Sequence, residues 1–172
     1  MTEQLRVYNQ NAQPKRVDRF VVSYFELDEN IGNILGNFTK TFPRPTVTLQ
    51  EQSVNTKGKP NYFHSQPQPS SLEVTFIDDS ESVVMDSLYS QLYRQMGRLK
   101  GDSRNLETAR FTINVKFFNE QGSCVEEYYL KECFIQNLTG NNLDISADTD
   151  STITATIRYE DLEYVFNRNE NE

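Results

Sequence analysis

One segment near the middle of this 172-residue chain carries a helical pattern, and it lies between two groups of strand-like segments. Over about residues 80–98, apolar side chains recur every three or four positions, which predicts one amphipathic helix. Ser80 is the expected N-cap, and Val84, Leu88 and Leu92 are expected to face the core. A parallel α/β sheet needs a crossover helix between successive strands, so one helix excludes that class. The order of strands, one helix and further strands along the chain predicts a mainly β fold. We expect an antiparallel sandwich or barrel with one α-helix packed on it.

Alternating or β-branched segments predict the strands on both sides of the helix. They lie at residues 17–27, 46–50 and 71–77 before it, and at 111–118, 124–135 and 151–166 after it. Residues 31–38 hold two glycines and are predicted to be a loop or a bent strand, and residues 136–142 are predicted to be a turn. The apolar residues of 124–135 change parity along the strand, which indicates a β-bulge or burial on both faces.

A polar stretch at residues 51–70 is predicted to be a long loop, which is unusual inside a compact domain. It contains Tyr62, Phe63 and His64. Aromatic side chains in such a loop indicate docking, either on the parent domain or on a neighbouring molecule. We therefore treat these three residues as candidates for inter-subunit contact.

Both ends of the chain are polar, and the C-terminal end of the predicted helix is basic. Residues 1–16 are predicted to be a flexible arm, residues 17–166 the β domain and residues 167–172 a polar tail. Arg94 and Arg98 belong to a basic cluster at the helix end. They are interpreted either as a charged helix terminus or as a docking patch for an acidic neighbour.

Composition narrows the classes of partner and compartment. A net charge of −8 disfavours stable nucleic-acid binding, because an acidic surface repels phosphate. Cys124 and Cys133 would lie roughly 30 Å apart on one extended strand, too far for a disulfide. We expect two free thiols, with a bridge between subunits as the alternative. Neither a membrane helix nor a signal peptide is expected, so we expect a protein made in a cytosol.

The sequence does not predict a catalytic site. His64 is the single histidine, and no nucleotide-binding loop or nucleophile elbow occurs in the sequence. Carboxylates such as Glu126 and Glu127 are adjacent, so on a strand they point to opposite faces. We expect neither an enzyme nor a cofactor or metal site. A glycosidase-like carboxylate enzyme and a small β-barrel binding module remain as alternatives.

The C-terminal part of the domain resembles a known family. Residues Phe134 to Glu160 read FIQNLTGNNLDISADTDSTITATIRYE and lead into a final strand with aromatic residues at Tyr159 and Tyr164. Together with the order of strands, helix and hairpin over residues 17–166, this segment resembles the tail tube proteins of contractile-tailed bacteriophages and related injection machines.

This resemblance implies a structural role in assembly. Such proteins form hexameric rings that stack into a hollow tube for DNA delivery during ejection. The implied partners are further copies of the chain, the tail sheath and baseplate proteins, and the tape measure protein and transiting DNA in the lumen. The implied location is the virion tail, assembled in the host cytoplasm. A baseplate tube-initiator or a tail terminator of the same fold is the alternative within the family.

The resemblance also suggests roles for particular segments. Thr152, Thr154 and Thr156 form a polar strand face that suits a lumen, and residues 51–70 are expected to reach an adjacent subunit or ring. The acidic net charge suits a conduit along which DNA slides without adsorbing.

Overall fold

The structure is a computed structural model that describes residues 16–27, 29–56, 58–67, 70–97, 109–141, 146 and 148–166. The predicted arm, apart from residue 16, and the predicted tail lie outside these ranges. The described residues form nine strands and two helices. In chain order they are β1 (Phe20–Phe25), α1 (Glu29–Phe38), β2 (Thr39–Thr41), β3 (Leu49–Thr56), β4 (Lys59–Pro67), β5 (Ser71–Ile77), α2 (Val83–Gln95), β6 (Phe111–Phe118), β7 (Cys124–Gly140), β8 (Thr152–Arg158) and β9 (Asp161–Phe166).

Seven strands form one curled, half-barrel sheet in which all pairs are antiparallel. The strand order is β1-β6-β7-β8-β5-β2, and β9 pairs with the first half of β7. β3 and β4 form a separate two-stranded hairpin. The predicted mainly β, antiparallel fold class is confirmed.

A β-bulge in β7 lets this 17-residue strand serve both halves of the sheet. Between Leu130 and Cys133, β7 holds one residue more than the facing stretch of β6, and Glu132 there has a φ of 55°. The extra residue changes which parity points inward, so the bulge interpretation of the sequence is confirmed. The core-facing residues on the two sides of the bulge are Tyr128, Leu130, Cys133 and Ile135.

Helix α2 packs on the sheet through a face that includes polar as well as apolar residues. Val84 and Leu88 are fully buried, and Leu92 is partly buried against the core. Ser87 and Gln91 complete the buried face because their side chains bond to the carbonyl oxygens of Val83 at 2.8 Å and of Ala109 at 2.7 Å, respectively. A hydrogen-bonded polar side chain can lie where an apolar one was expected. The Oε1 atom of Gln91 has no hydrogen-bond partner among the described residues.

The helix begins later than predicted. Ser82, not Ser80, is the N-cap residue, and its φ of 56° is left-handed. Asp79 supplies the side-chain cap instead, because its Oδ1 accepts a 2.7 Å bond from the N–H of Val83. The negative carboxylate is also favoured at this positive end of the helix.

Helix α1 replaces the loop or bent strand predicted for residues 31–38, and the expectation of a single helix is therefore wrong. Its glycines permit a close approach to β1, the end strand of the sheet. A Cβ atom at Gly32 would lie 2.7 Å from the carbonyl oxygen of Tyr24, and one at Gly36 would lie 2.9 Å from that of Val22. Glycines that read as breakers in the sequence instead allow the helix to pack on backbone.

Gly32→Ala is expected to lower the free energy of unfolding by about 2 kcal/mol, because the new methyl group collides with a strand carbonyl. Alanine alone would favour the helix by about 1 kcal/mol. Asn33→Ala, at an exposed position of the same helix, is the matched control and is expected to be neutral or stabilising. Urea unfolding of both variants measures the difference. A Gly32→Ala protein as stable as the native chain would contradict the packing of α1 on β1.

Three further sequence predictions are corrected. The long loop predicted at residues 51–70 is mostly the β3–β4 hairpin, with Gly58 at a φ of 78° in its turn. β7 continues to Gly140 through the turn predicted at residues 136–142, and the strand predicted at 151–166 is two strands separated by a corner at residues 159–160. No disulfide joins Cys124 and Cys133 within the chain, as expected.

Candidate assembly surfaces

The β3–β4 hairpin exposes its apolar side chains on both faces. The side chains of Tyr62, Phe63 and Val54 are 65%, 56% and 52% exposed. Tyr62 faces Ser53 across the hairpin and Phe63 faces Gln52, so the two aromatic rings lie on opposite faces. A lone two-stranded hairpin is marginally stable in water, and this one therefore presents a surface suited to a partner.

The predicted contact residues lie on two separate elements. Tyr62, Phe63 and His64 are consecutive on β4, while Arg94 lies in the last turn of α2. Arg98 is outside the described residues, as is the side chain of His64. Contact of these five residues with a neighbouring subunit stays a prediction.

The sheet formed by β5, β8 and the second half of β7 has a polar face opposite its core. Thr152, Thr154 and Thr156 lie on this face, because the intervening apolar residues of β8 are buried. The hydroxyls of Thr75 and Thr154 are 3.4 Å apart across β5 and β8. Glu73 supplies a carboxylate beside Thr156. The face is thus a row of hydroxyls, with two charged residues, Glu73 and Arg158, at one end.

A second polar group occupies the outer face of β6 and β7. Asn114 is 2% exposed, and its amide nitrogen donates to Oε1 of Glu127 at 2.7 Å. The ammonium of Lys116 lies 3.4 Å from the same oxygen. Burial alone would raise the pKa of Glu127, but the hydrogen bonds from Asn114, Tyr129 and Lys116 outweigh it and lower that pKa. The sequence shows these residues 13 positions apart, so only strand pairing reveals the group.

The lowered pKa of Glu127 predicts a loss of stability in acid. Its contribution is present above the unfolded-state pKa of about 4.3 and is lost as the pH falls through the lower folded-state pKa. Glu127→Gln is expected to cost about 1 kcal/mol at pH 7 and to lose less stability than the native chain between pH 7 and pH 3. Urea unfolding at both pH values tests this, with Glu81→Gln, at an exposed position, as the control. An equal acid sensitivity of the native and Glu127→Gln proteins would contradict the network.

Glu126 points the opposite way from Glu127, toward the core. It is 6% exposed, and its Oε1 accepts hydrogen bonds from the hydroxyls of Tyr128 and Tyr164. These two rings pack edge-on with centroids 4.5 Å apart, which fastens β9 to β7. The adjacent carboxylates therefore do not face each other across a cleft, as a glycosidase pair would.

Two other kinds of site are absent from the described residues. Within those ranges, no three side chains of His, Cys, Asp or Glu are grouped so that they could hold a metal ion. The helices described are also too short or too polar to cross a membrane.

Comparison with known proteins reveals likeness in structure alone. No family model and no curated protein sequence matches the chain. The sheath/tube terminator of an extracellular contractile injection system (PVC, extended state) matches with a TM-score of 0.69 at 13% identity, over 90% of this chain and 99% of that one. A protein of the six-fold symmetrised anti-feeding prophage baseplate matches with a TM-score of 0.60 at 14% identity, over 90% and 97%.

A third solved structure, from the extended PVC sheath–tube complex, matches with a TM-score of 0.58 at 13% identity, over 91% of this chain and 94% of that one. All three likenesses span nearly the whole of both chains. The chain therefore has the fold of the tube and tube-terminator proteins of contractile injection systems, the group that its sequence resembles.

Proposed function

We propose that this chain is a ring-forming structural subunit of the tube of a contractile machine, such as a bacteriophage tail. The observation that carries the proposal is the fold, which matches a sheath/tube terminator over 90% of this chain and 99% of that one. The six-fold symmetry of the matching baseplate supports hexameric rings, and the matching sheath–tube complex supports a sheath as a partner.

Unpaired strand edges support association with further copies. Among the strands that the structure describes, β9 pairs only with β7, and β3 and β4 pair only with each other. Exposed edges of this kind invite pairing with another chain, and closure into a ring covers them. The ring proposed here uses the hairpin, through Tyr62, Phe63 and His64, and the basic end of α2, through Arg94 and Arg98, as contacts between subunits.

The polar face of β8 is proposed to line the lumen of the stacked rings. The hydroxyls of Thr152, Thr154 and Thr156 hold water and carry no charge that attracts phosphate, and Arg158 lies at the end of the same face. The net charge of −8 also disfavours adsorption of nucleic acid. This chemistry suits passage of DNA and a tape measure protein through the tube during ejection. The particle would be a virion tail assembled in the host cytoplasm, in contact with the sheath and the baseplate.

A terminator ring is the second candidate, and one observation favours it. The TM-score is 0.69 for the sheath/tube terminator and 0.58 for the chain of the sheath–tube complex. A terminator shares the ring but ends the stack, so the two candidates differ in whether rings continue to grow. A baseplate initiator, which begins the stack, would share the same ring.

Sedimentation velocity over a concentration series tests the proposal. A major tube subunit is expected to form a particle of six chains that grows into longer assemblies as the concentration rises. A terminator is expected to form a six-chain particle that does not grow further. A monomer at every concentration would contradict both. Hydrolysis of cell-wall glycans by the pure protein, abolished by Glu126→Gln, would contradict the proposed non-catalytic role.

A further inference from the structure

One buried tyrosine contacts both connections between the β3–β4 hairpin and the rest of the fold. Tyr159 lies at the corner between β8 and β9 and is 4% exposed. Its hydroxyl donates a 3.0 Å hydrogen bond to the carbonyl oxygen of Thr46, three residues before β3 begins. Its backbone N–H donates a 3.2 Å bond to the carbonyl oxygen of Ser70, three residues after β4 ends.

These bonds join parts of the chain that are far apart in sequence. Tyr159 and Thr46 are separated by 113 positions, and the hairpin lies between Thr46 and Ser70. The chain segments that enter and leave the hairpin are therefore both bonded to Tyr159. Burial raises the pKa of Tyr159, while hydrogen bonds of its hydroxyl with the Ser70 side chain and the Thr46 backbone oppose that change. The hydroxyl thus stays protonated at neutral pH and remains a donor to Thr46.

A second side chain holds the connection before β3. The guanidinium of Arg44 lies over the ring of Phe117, 5.1 Å from its centroid, a distance at which a cation and an aromatic face attract. Residues 42–48 have no regular secondary structure of their own, so these side-chain contacts fix their course. The segment is therefore anchored at two points. Arg44 is held by its own contact with Phe117, and Thr46, two residues later, is held by its bond to Tyr159.

We propose that Tyr159 is a positioning residue that fixes the direction of the β3–β4 hairpin, so that the hairpin is oriented for a second copy of the chain before the copies meet. The proposal rests on the ring-forming function inferred above. If its two connections were mobile, the hairpin would change direction relative to the domain. Association would then have to order it, and the conformational entropy lost would weaken binding. A hairpin held at both ends avoids that loss.

Tyr159→Phe tests the proposal because it removes the bond to Thr46 and keeps the ring. Tyr24→Phe is the matched control, since Tyr24 is also buried and its hydroxyl bonds to Thr39 at 3.1 Å, away from the connections to the hairpin. Spin labels on Lys59→Cys, in the hairpin, and Glu81→Cys, before α2, report the hairpin direction as a distance distribution. The labelled chains carry Cys124→Ser. Cys133 is retained because its thiol is buried and its pKa is raised to about 12, which keeps it unreactive.

The expected result is a broader distance distribution for Tyr159→Phe than for Tyr24→Phe or the native chain, and assembly of the unlabelled variant at about tenfold higher concentration. Arg44→Gln, which alters an exposed side chain, is expected to broaden the distribution less and supplies the test if Tyr159→Phe fails to fold. An equally narrow distribution in all variants would overturn the positioning role. A broader distribution with unchanged assembly would overturn its link to association. A native chain that never assembles would refute the ring-forming function, while the distances would still decide the role of Tyr159.

Discussion

Leu88→Asp is expected to leave the chain unable to fold. Leu88 is 1% exposed and lies on the buried face of α2 beside Val84. A carboxylate at this position has no cationic partner among the buried residues that the structure describes. It also loses its hydration, at a cost of about 4 kcal/mol or more. That cost approaches the whole stability of a typical domain, about 5–15 kcal/mol. The measurement is the soluble fraction on expression, followed by circular dichroism and urea unfolding of any soluble protein.

Two controls separate burial of charge from other effects of the change. Leu88→Ala keeps the site apolar and is expected to destabilise by about 2–5 kcal/mol through the cavity it leaves. Tyr89→Asp places the same charge on the neighbouring residue, which is 40% exposed, and is expected to fold. A soluble Leu88→Asp protein with native stability would mean that α2 presents a different face to the sheet.

The paired change Tyr62→Ser and Phe63→Ser is expected to abolish assembly and leave the domain folded. Both rings are more than half exposed on a hairpin that forms its own two-stranded sheet, so the fold does not depend on them. Burying one large aromatic side chain at an interface contributes about 1.5–3 kcal/mol. Losing two is expected to raise the concentration needed for assembly at least about a hundredfold, which corresponds to about 2.7 kcal/mol.

The control for this pair removes exposed aromatic rings from another surface. Tyr89 and Tyr93 of α2 are 40% and 44% exposed, with ring centroids 6.2 Å apart. Tyr89→Ser with Tyr93→Ser therefore removes two partly exposed aromatic rings away from the hairpin. Light scattering over a concentration series compares the two double variants, and urea unfolding checks that both fold. Assembly of the hairpin variant at the native concentration would exclude the hairpin as a contact between subunits.

Local patterns in the sequence predict the parts of this fold that bury an apolar face within the chain. The positions of the apolar residues change parity along residues 124–135. This change predicts the bulge of β7, because successive side chains of a regular strand alternate between core and solvent. The stripe of α2 predicts burial of Val84 and Leu88 for the same reason. It does not predict burial of Ser87 and Gln91, because Ser87 bonds to a carbonyl of its own helix and Gln91 bonds to Ala109 outside the helix.

Segments whose structure depends on distant backbone are not predictable in this way. Gly32 looks like a breaker, yet it allows contact with the carbonyl of Tyr24 on another element. The β3–β4 hairpin lacks a regular apolar alternation because the exposed side chains of its two faces bury nothing within the domain. The bond between Tyr159 and Thr46 spans 113 positions, and no local pattern carries that information.

Electron microscopy of the purified native chain tests the central claim, that this β domain is a ring-forming subunit, most directly. The expected images are hollow six-fold rings, or tubes built from them, with the hairpin at the contacts between subunits. The distribution between rings and tubes separates a terminator from a major tube subunit. Uniform monomers at high concentration, with the domain folded by circular dichroism, would contradict the claim.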